Sequence, residues 1–145
     1  MDTRFETFAL SILELNRYIQ RIKDIEMQKF GLRAGHTMCL YYLGRHGEGL
    51  TATELTAMCS EDKAAISRTL SQLLGKKLVT CDIPEGKRAY RTLYFLTDSG
   101  REIVKSIDSR IEEIFSGGSE GLTDEQREAL YTSMNTILKN LKKLY

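Results

Sequence analysis

The sequence holds little of what catalytic centres are built from. It has no glycine-rich phosphate loop, no nucleophile motif and no paired carboxylates in a recognisable frame, which argues against an enzyme. There are two histidines, and three cysteines (Cys39, Cys59 and Cys81) stand at wide spacing with no CxxC pair. An odd, scattered set of that kind fits reduced thiols better than a disulfide framework. No metal and no cofactor are expected. Long apolar runs are missing as well: the opening stretch MDTRFETFALSILELNR is broken by charge every few residues, so it reads as neither a secretory signal nor a membrane span. A cytoplasmic chain with no membrane partner is the expectation. Repeats and low-complexity tracts are absent, and the formal net charge is only +1.

What is present is ordinary globular material: 145 residues, 41% hydrophobic and 28% charged, enough for a single domain over 1–145. The near-zero net charge conceals an uneven distribution. Residues 1–62 carry seven Lys/Arg against nine Asp/Glu, residues 63–91 seven against two, and residues 92–145 seven against nine. A local basic patch, more than total charge, is the footprint of a polyanionic partner.

The patch coincides with a patterned segment from Leu50 to Gly100. Thr51 or Thr53 caps a short helix through Cys59, with Glu54 in its first turn and Leu55 and Met58 inward. Ser60-Glu61-Asp62 is a turn, and Ser60 with Lys63 marks the start of a second helix to about Gly75. On that helix Ile66, Leu70, Leu73 and Leu74 share one arc, and Ala64, Ala65, Arg68, Ser71 and Gln72 fall opposite. Small residues at its start allow close approach to a groove, Arg68 suits a guanine edge, Gln72 an adenine edge, and Ser67 and Thr69 phosphate oxygens. The plain alternative is a solvated helix face.

Beyond the helix, Leu78 to Ile83 is β-prone, Ile83-Pro84-Glu85-Gly86 has type I turn chemistry, and Tyr90 to Leu96 returns as a strand. Lys87, Arg88 and Arg91 make the hairpin basic, as a wing lying along a DNA backbone or reaching a minor groove requires. Thr97 caps the next helix. The expected architecture is mainly α: a winged helix-turn-helix with a three-helix core and a two-stranded β-wing, over about residues 31–97.

Outside that module three stripes repeat at spacings of three and four. They are Phe5, Phe8, Ile12, Leu15, Ile19 and Ile22; Val104, Ile107, Ile111 and Ile114; and Leu130, Met134, Ile137, Leu141 and Leu144. Gly117, Gly118 and Gly121 end the second of these helices, and Thr123 with Gln126 supplies a capping box for the third. Stripes of this kind form the core of a monomeric bundle or an interface between two copies. A homodimer is favoured, because operators are commonly two-fold symmetric and one recognition helix with one wing gives limited affinity. Residues 3–29 and 98–145 are then the dimerisation helices.

The run FGLRAGHTMCLYYLGRHGEGLTATELTAMCSEDKAAISRTLSQLLGKKLV, the wing, and FLTDSGRE resemble the MarR family of bacterial winged helix-turn-helix transcriptional regulators. Leu96-Thr97-Asp98-Ser99-Gly100 is similar to the family's Leu-Thr-x-x-Gly, and Leu55, Ile66, Arg68, Leu70 and Leu73 fall at its helix-turn-helix positions. The resemblance implies a homodimer on a pseudo-palindromic double-stranded operator, usually as a repressor released by a small, often aromatic effector, an oxidant or a metal. Two departures stand out. The family's acid two residues before a wing arginine is here Glu85 followed by Lys87 and Arg88. Lys76-Lys77 occupy the place of a glycine common before the first wing strand.

The signal is less legible. The oxidant-sensing branch of the family carries its cysteine near the start of the first helix, where this chain has none. Cys39 reads as a buried thiol, Cys59 and Cys81 as accessible ones. His36 and Cys39, at i and i+3, with His46 make a conceivable metal set. Phe30, Met38, Tyr41 and Tyr42 line either an aromatic effector pocket or plain core. A redox- or metal-responsive regulator and a winged helix used only for protein contacts stay open as alternatives.

Overall fold

The structure, a computed structural model, describes residues 3–83 and 91–145. Among these are six helices and one antiparallel strand pair: α1 (Thr3–Gln28), α2 (Ala34–Arg45), α3 (Ala52–Cys59), α4 (Lys63–Gly75), β1 (Val79–Asp82), β2 (Leu93–Leu96), α5 (Asp98–Gly118) and α6 (Asp124–Leu144). The architecture is mainly helical, as expected. Two compact units divide it, Met1–Asp108 and Ser109–Tyr145, with α5 running through the division.

The core of the first unit gathers one face from each of its elements. Met27 from α1, Cys39, Leu40 and Leu43 from α2, Leu55 from α3, and Ile66, Leu70 and Leu73 from α4 are buried, and Leu78, Val79, Leu96, Val104 and Ile107 extend the same core through the strands into α5. The strands pair with Val79 opposite Leu96 and Asp82 opposite Leu93. Leu50 and Tyr94 exchange backbone hydrogen bonds at 3.1 and 2.8 Å, fastening the strand pair to the chain just before α3.

Helix starts follow side-chain chemistry. Thr51, not Thr53, caps α3, accepting from the Glu54 N–H at 3.2 Å while the Glu54 carboxylate accepts from the Thr51 N–H. Ser60 is not the start of α4: it is the left-handed end of α3, at φ 52°, and Asp62 caps α4 by accepting from the Ala65 N–H at 2.7 Å. The carboxylate wins because it is the charged acceptor nearest the helix's positive end.

The Leu-Thr-Asp-Ser-Gly segment leads from β2 into α5 and docks on the turn that ends α4. Lys77 takes the left-handed φ of 58° that a glycine usually supplies, its N–H donating to Leu74 O and the Leu78 N–H to Leu73 O, the closure of a Schellman motif. Thr97 then donates from Oγ1 to Lys77 O at 2.8 Å and from its N–H to Leu78 O at 3.0 Å, while its Oγ1 accepts from the Gly100 N–H. Gly100 passes so close that a Cβ there would lie 2.2 Å from Leu78 O. Only glycine admits that approach.

In the second unit, Thr123 and Gln126 form the expected capping box on α6. No residue of α6 is buried, and Met27 is the sole buried residue of α1. The middle stripe is covered at Val104 and Ile107. The other two stay largely exposed, from Phe5 at 75% to Leu144 at 72%.

Candidate nucleic-acid interface

Helix α4 is anchored by Ile66, Leu70 and Leu73, which places its other side in solvent. Lys63, Ala64, Ser67, Arg68, Ser71 and Gln72 are exposed there, a continuous strip at three- and four-residue spacing. Ser67 therefore belongs to the outer face itself. Ala65 and Thr69 do not: both are half-buried and line a cavity of about 120 Å³ together with Lys23, Cys39 and Cys59. The wheel placed Ala65 on the outward face and Thr69 at its edge; packing against α1 and α2 turns both inward.

Gln72 is exposed but tied from beneath. His36, buried in α2, accepts the Arg33 N–H on Nδ1 at 2.9 Å, so its proton sits on Nε2 and is donated to the Gln72 Oε1 at 2.7 Å. Sequence reasoning missed this link, since the partners are 36 residues apart and His36 was weighed only as a metal ligand. Both of its nitrogens are thus occupied. His46 pairs with Glu48 at 3.0 Å, a contact that holds the Glu48 carboxyl below its ordinary range. Among the described residues no group of three His, Cys, Asp or Glu is placed to hold a metal.

From the sequence Lys63 reads as a mark of the helix start, not as a contact. It is the first residue of α4, where a cation opposes the helix dipole.

Arg91 is exposed, two residues before β2, at the end of the strand pair where Asp82 meets Leu93. Lys87 and Arg88, with the Pro84–Gly86 turn, lie outside the described residues. Of the aromatic and sulfur residues weighed as an effector lining, Met38 borders the 120 Å³ cavity. Tyr41 and Tyr42 pack edge to face, and the Arg45 guanidinium sits 3.6 Å above the Tyr41 ring while contacting Asp108. One face of Tyr41 is therefore taken by a cation.

Cys39 is buried, Cys59 half-buried and Cys81 exposed. Cys39 and Cys59, on different helices, bring their sulfurs to 4.0 Å. The hydrogen bond from Cys39 holds the Cys59 thiol below its ordinary range and the Lys23 charge assists, against burial and the Glu61 carboxylate; the same contact and burial push Cys39 far up.

Three helices in helix-turn-helix order, an outward α4 and the β1–β2 pair define a winged helix-turn-helix protein. Residues 30–89 match the family model described as MarR family. The HTH-type transcriptional regulator TcaR of Staphylococcus aureus, in two strains, is 30% identical over 96 residues, 66% of this chain; the chain spans 64% of the length of these curated relatives. Over these residues the chain matches the MarR family.

Solved structures share the fold at lower identity. The Staphylococcus aureus MepR–DNA complex superimposes with a TM-score of 0.82 at 21% identity, covering 92% of this chain and 96% of that one. Staphylococcus aureus MarR in complex with salicylate and kanamycin gives 0.81 at 18%, covering 98% and 95%. A MarR transcriptional regulator from Methanosarcina mazei gives 0.80 at 23%, covering 100% and 94%. No helix among the described residues is long and apolar enough to cross a membrane.

Proposed function

We propose that the chain is a sequence-specific DNA-binding transcription regulator. It acts in the cytoplasm as a homodimer on a two-fold symmetric operator, most simply as a repressor. The observation that carries this reading is the exposed polar strip of α4, in a segment with seven Lys/Arg against two Asp/Glu. Arg68 is the guanine reader and Gln72 a base reader fixed in orientation by His36. Ala64 and Ser71 face the groove floor, and Ser67 takes phosphate. Lys63, unfavourable against its own helix dipole, is relieved by a phosphate at the same end. Ala65 and Thr69 set the inner flank of the helix, and Lys87, Arg88 and Arg91 form the wing contact.

The dimer rests on the exposed stripes of α1 and α6, whose large apolar residues a single chain leaves in water. Release by a small molecule is supported by the kinship with Staphylococcus aureus MarR, which was crystallised with salicylate and kanamycin.

The test is fluorescence anisotropy with promoter DNA from upstream of the protein's own gene against scrambled DNA, over a salt series. Selective, salt-sensitive binding is expected, and Arg68→Ala should weaken it by about 1–3 kcal/mol, roughly 5- to 150-fold, with relaxed selectivity. Absence of binding to both DNAs at low salt would make the winged helix a protein-interaction module instead.

A further inference from the structure

We propose that Cys39 and Cys59 form a hydroperoxide-responsive dithiol, closing to an intrachain disulfide that displaces the start of helix α4 and weakens DNA binding. The chemistry stands on the cysteine geometry alone; its effect on DNA rests on the function proposed above.

The two sulfurs are 4.0 Å apart, Cys39 in the packed middle of α2 and Cys59 at the last position of α3. They share the wall of the 120 Å³ cavity with Lys23, Ala65, Ile66 and Thr69, room enough for a small peroxide. Cys59 is the half-exposed member and Cys39 is 1% exposed, so the two have different roles: the first meets the oxidant, the second resolves it. The hydrogen bond from Cys39, with Lys23 nearby and Glu61 opposing, favours the Cys59 thiolate.

In the first step that thiolate attacks a peroxide oxygen. An S–O bond forms, the O–O bond breaks, and the departing alkoxide or hydroxide takes a proton from water; sulfur is oxidised to a sulfenic acid and the peroxide is reduced to an alcohol or water. The step also removes the negative sulfur to which Cys39 was donating, and with it the main reason Cys39 holds its proton. In the second step Cys39 sulfur attacks the sulfenic sulfur, the S–S bond forms, the S–O bond breaks, and hydroxide leaves with the Cys39 proton as water. No further co-reactant is needed.

A disulfide bond is about 2.05 Å long, so the sulfurs must approach by about 2 Å. Cys39 lies between residues that fix α2 in the core, Leu40 and Leu43 among them, whereas Cys59 is followed directly by the left-handed Ser60 and the Asp62 cap of α4. The motion therefore falls on the α3–α4 turn. It shifts Asp62, Lys63 and Ala64, the end of the recognition helix nearest the groove.

The experiment uses the full chain, reduced and freed of thiol, treated with one equivalent of hydrogen peroxide or cumene hydroperoxide. Intact mass should fall by two hydrogen atoms. Trypsin, cutting after Arg33, Arg45 and Lys63, should yield peptides 34–45 and 46–63 joined until dithiothreitol is added. Cys81→Ser should still form the link. Cys39→Ser should stop at a sulfenic acid on Cys59 that dimedone traps, a readout that a merely structural cysteine does not give.

Oxidation of Cys81 with Cys59 untouched, or of Cys59 to sulfinic acid with Cys39 still a thiol, overturns the dithiol. In the anisotropy assay the disulfide form should bind operator DNA about 5-fold or more weakly, restored by dithiothreitol. Equal affinity of a mapped disulfide form overturns the regulatory half. If the reduced protein binds no DNA, the DNA-binding function falls, and the peptide map still decides the dithiol.

Discussion

Replacing Gly100 by alanine tests the joint between the winged helix and α5. The added Cβ would lie 2.2 Å from Leu78 O and 3.2 Å from both Leu78 C and Leu96 Cδ2, about 1 Å inside ordinary contact. The obstacle is main chain and cannot rotate aside. To open the gap, α5 must leave the α4–β1 turn, straining the bonds from Thr97 to Lys77 O and Leu78 O. Overpacking costs about 1–3 kcal/mol and each weakened bond about 0.5–1.5, offset by about 1 for removing a helical glycine. The net expectation is about 2–3 kcal/mol of lost stability, or on the order of 5–10 °C in Tm. Urea unfolding followed by circular dichroism, at one fixed protein concentration, measures it. Gly117→Ala is the control, because a Cβ there meets nothing within 4 Å; it should be neutral or stabilise by up to about 1 kcal/mol. A Gly100→Ala protein within about 0.5 kcal/mol of the parent would refute the close-approach argument.

Lys77→Gly should stabilise the fold by up to about 1 kcal/mol in the same assay, since Lys77 holds a left-handed φ of 58° against its Cβ. Leu141→Glu in α6, or Leu15→Glu in α1, should shift the sedimentation of the protein from dimer to monomer while leaving its helical signal largely intact; an unchanged dimer from the paired substitution would mean the stripes are not the interface. In a Cys81→Ser background, iodoacetamide should alkylate Cys59 efficiently at pH values below the ordinary thiol range. A depressed pKa keeps the thiolate populated to lower pH, and Cys39→Ala, by removing the donor, should move that profile upward.

What was legible in the sequence was what depends on neighbours along the chain. The helix spans, the Thr123 capping box, the inward face of α4 and the paired strands follow from periodicity and capping, which are local. Local rules also failed once: Ser60, a good capping residue, marked the start of α4 in the sequence, but Asp62, read there as part of the turn, is the residue placed for the N–H groups of α4. Contacts between distant segments were not legible. Nothing in the spacing of Cys39 and Cys59 brings their sulfurs together, and Thr69 and Ala65 turn inward only because α1 and α2 pack beside them. The Lys76-Lys77 departure from the family pattern was visible, but not that Lys77 itself adopts the glycine conformation.

The recognition helix is held at three heights, and each hold comes from a different part of the chain. Asp62 caps its start, the Cys39–Cys59 cavity abuts its middle at Ala65 and Thr69, and His36 grips Gln72 in its last turn. The His36 contact is a hydrogen bond to an exposed side chain from a buried one, so it restricts the Gln72 amide without hiding it. Its oxygen keeps a second lone pair and its nitrogen both protons, the set an adenine edge requires. Fixing the amide plane before binding lowers the entropy lost on contact. Because α2 supplies both His36 and Cys39, separated by one helical turn, a shift of α2 against α4 alters a proposed base reader and the thiol pair together. The proposed disulfide would thus act on both ends of the exposed α4 strip, at its start through the α3–α4 turn and at Gln72 through α2.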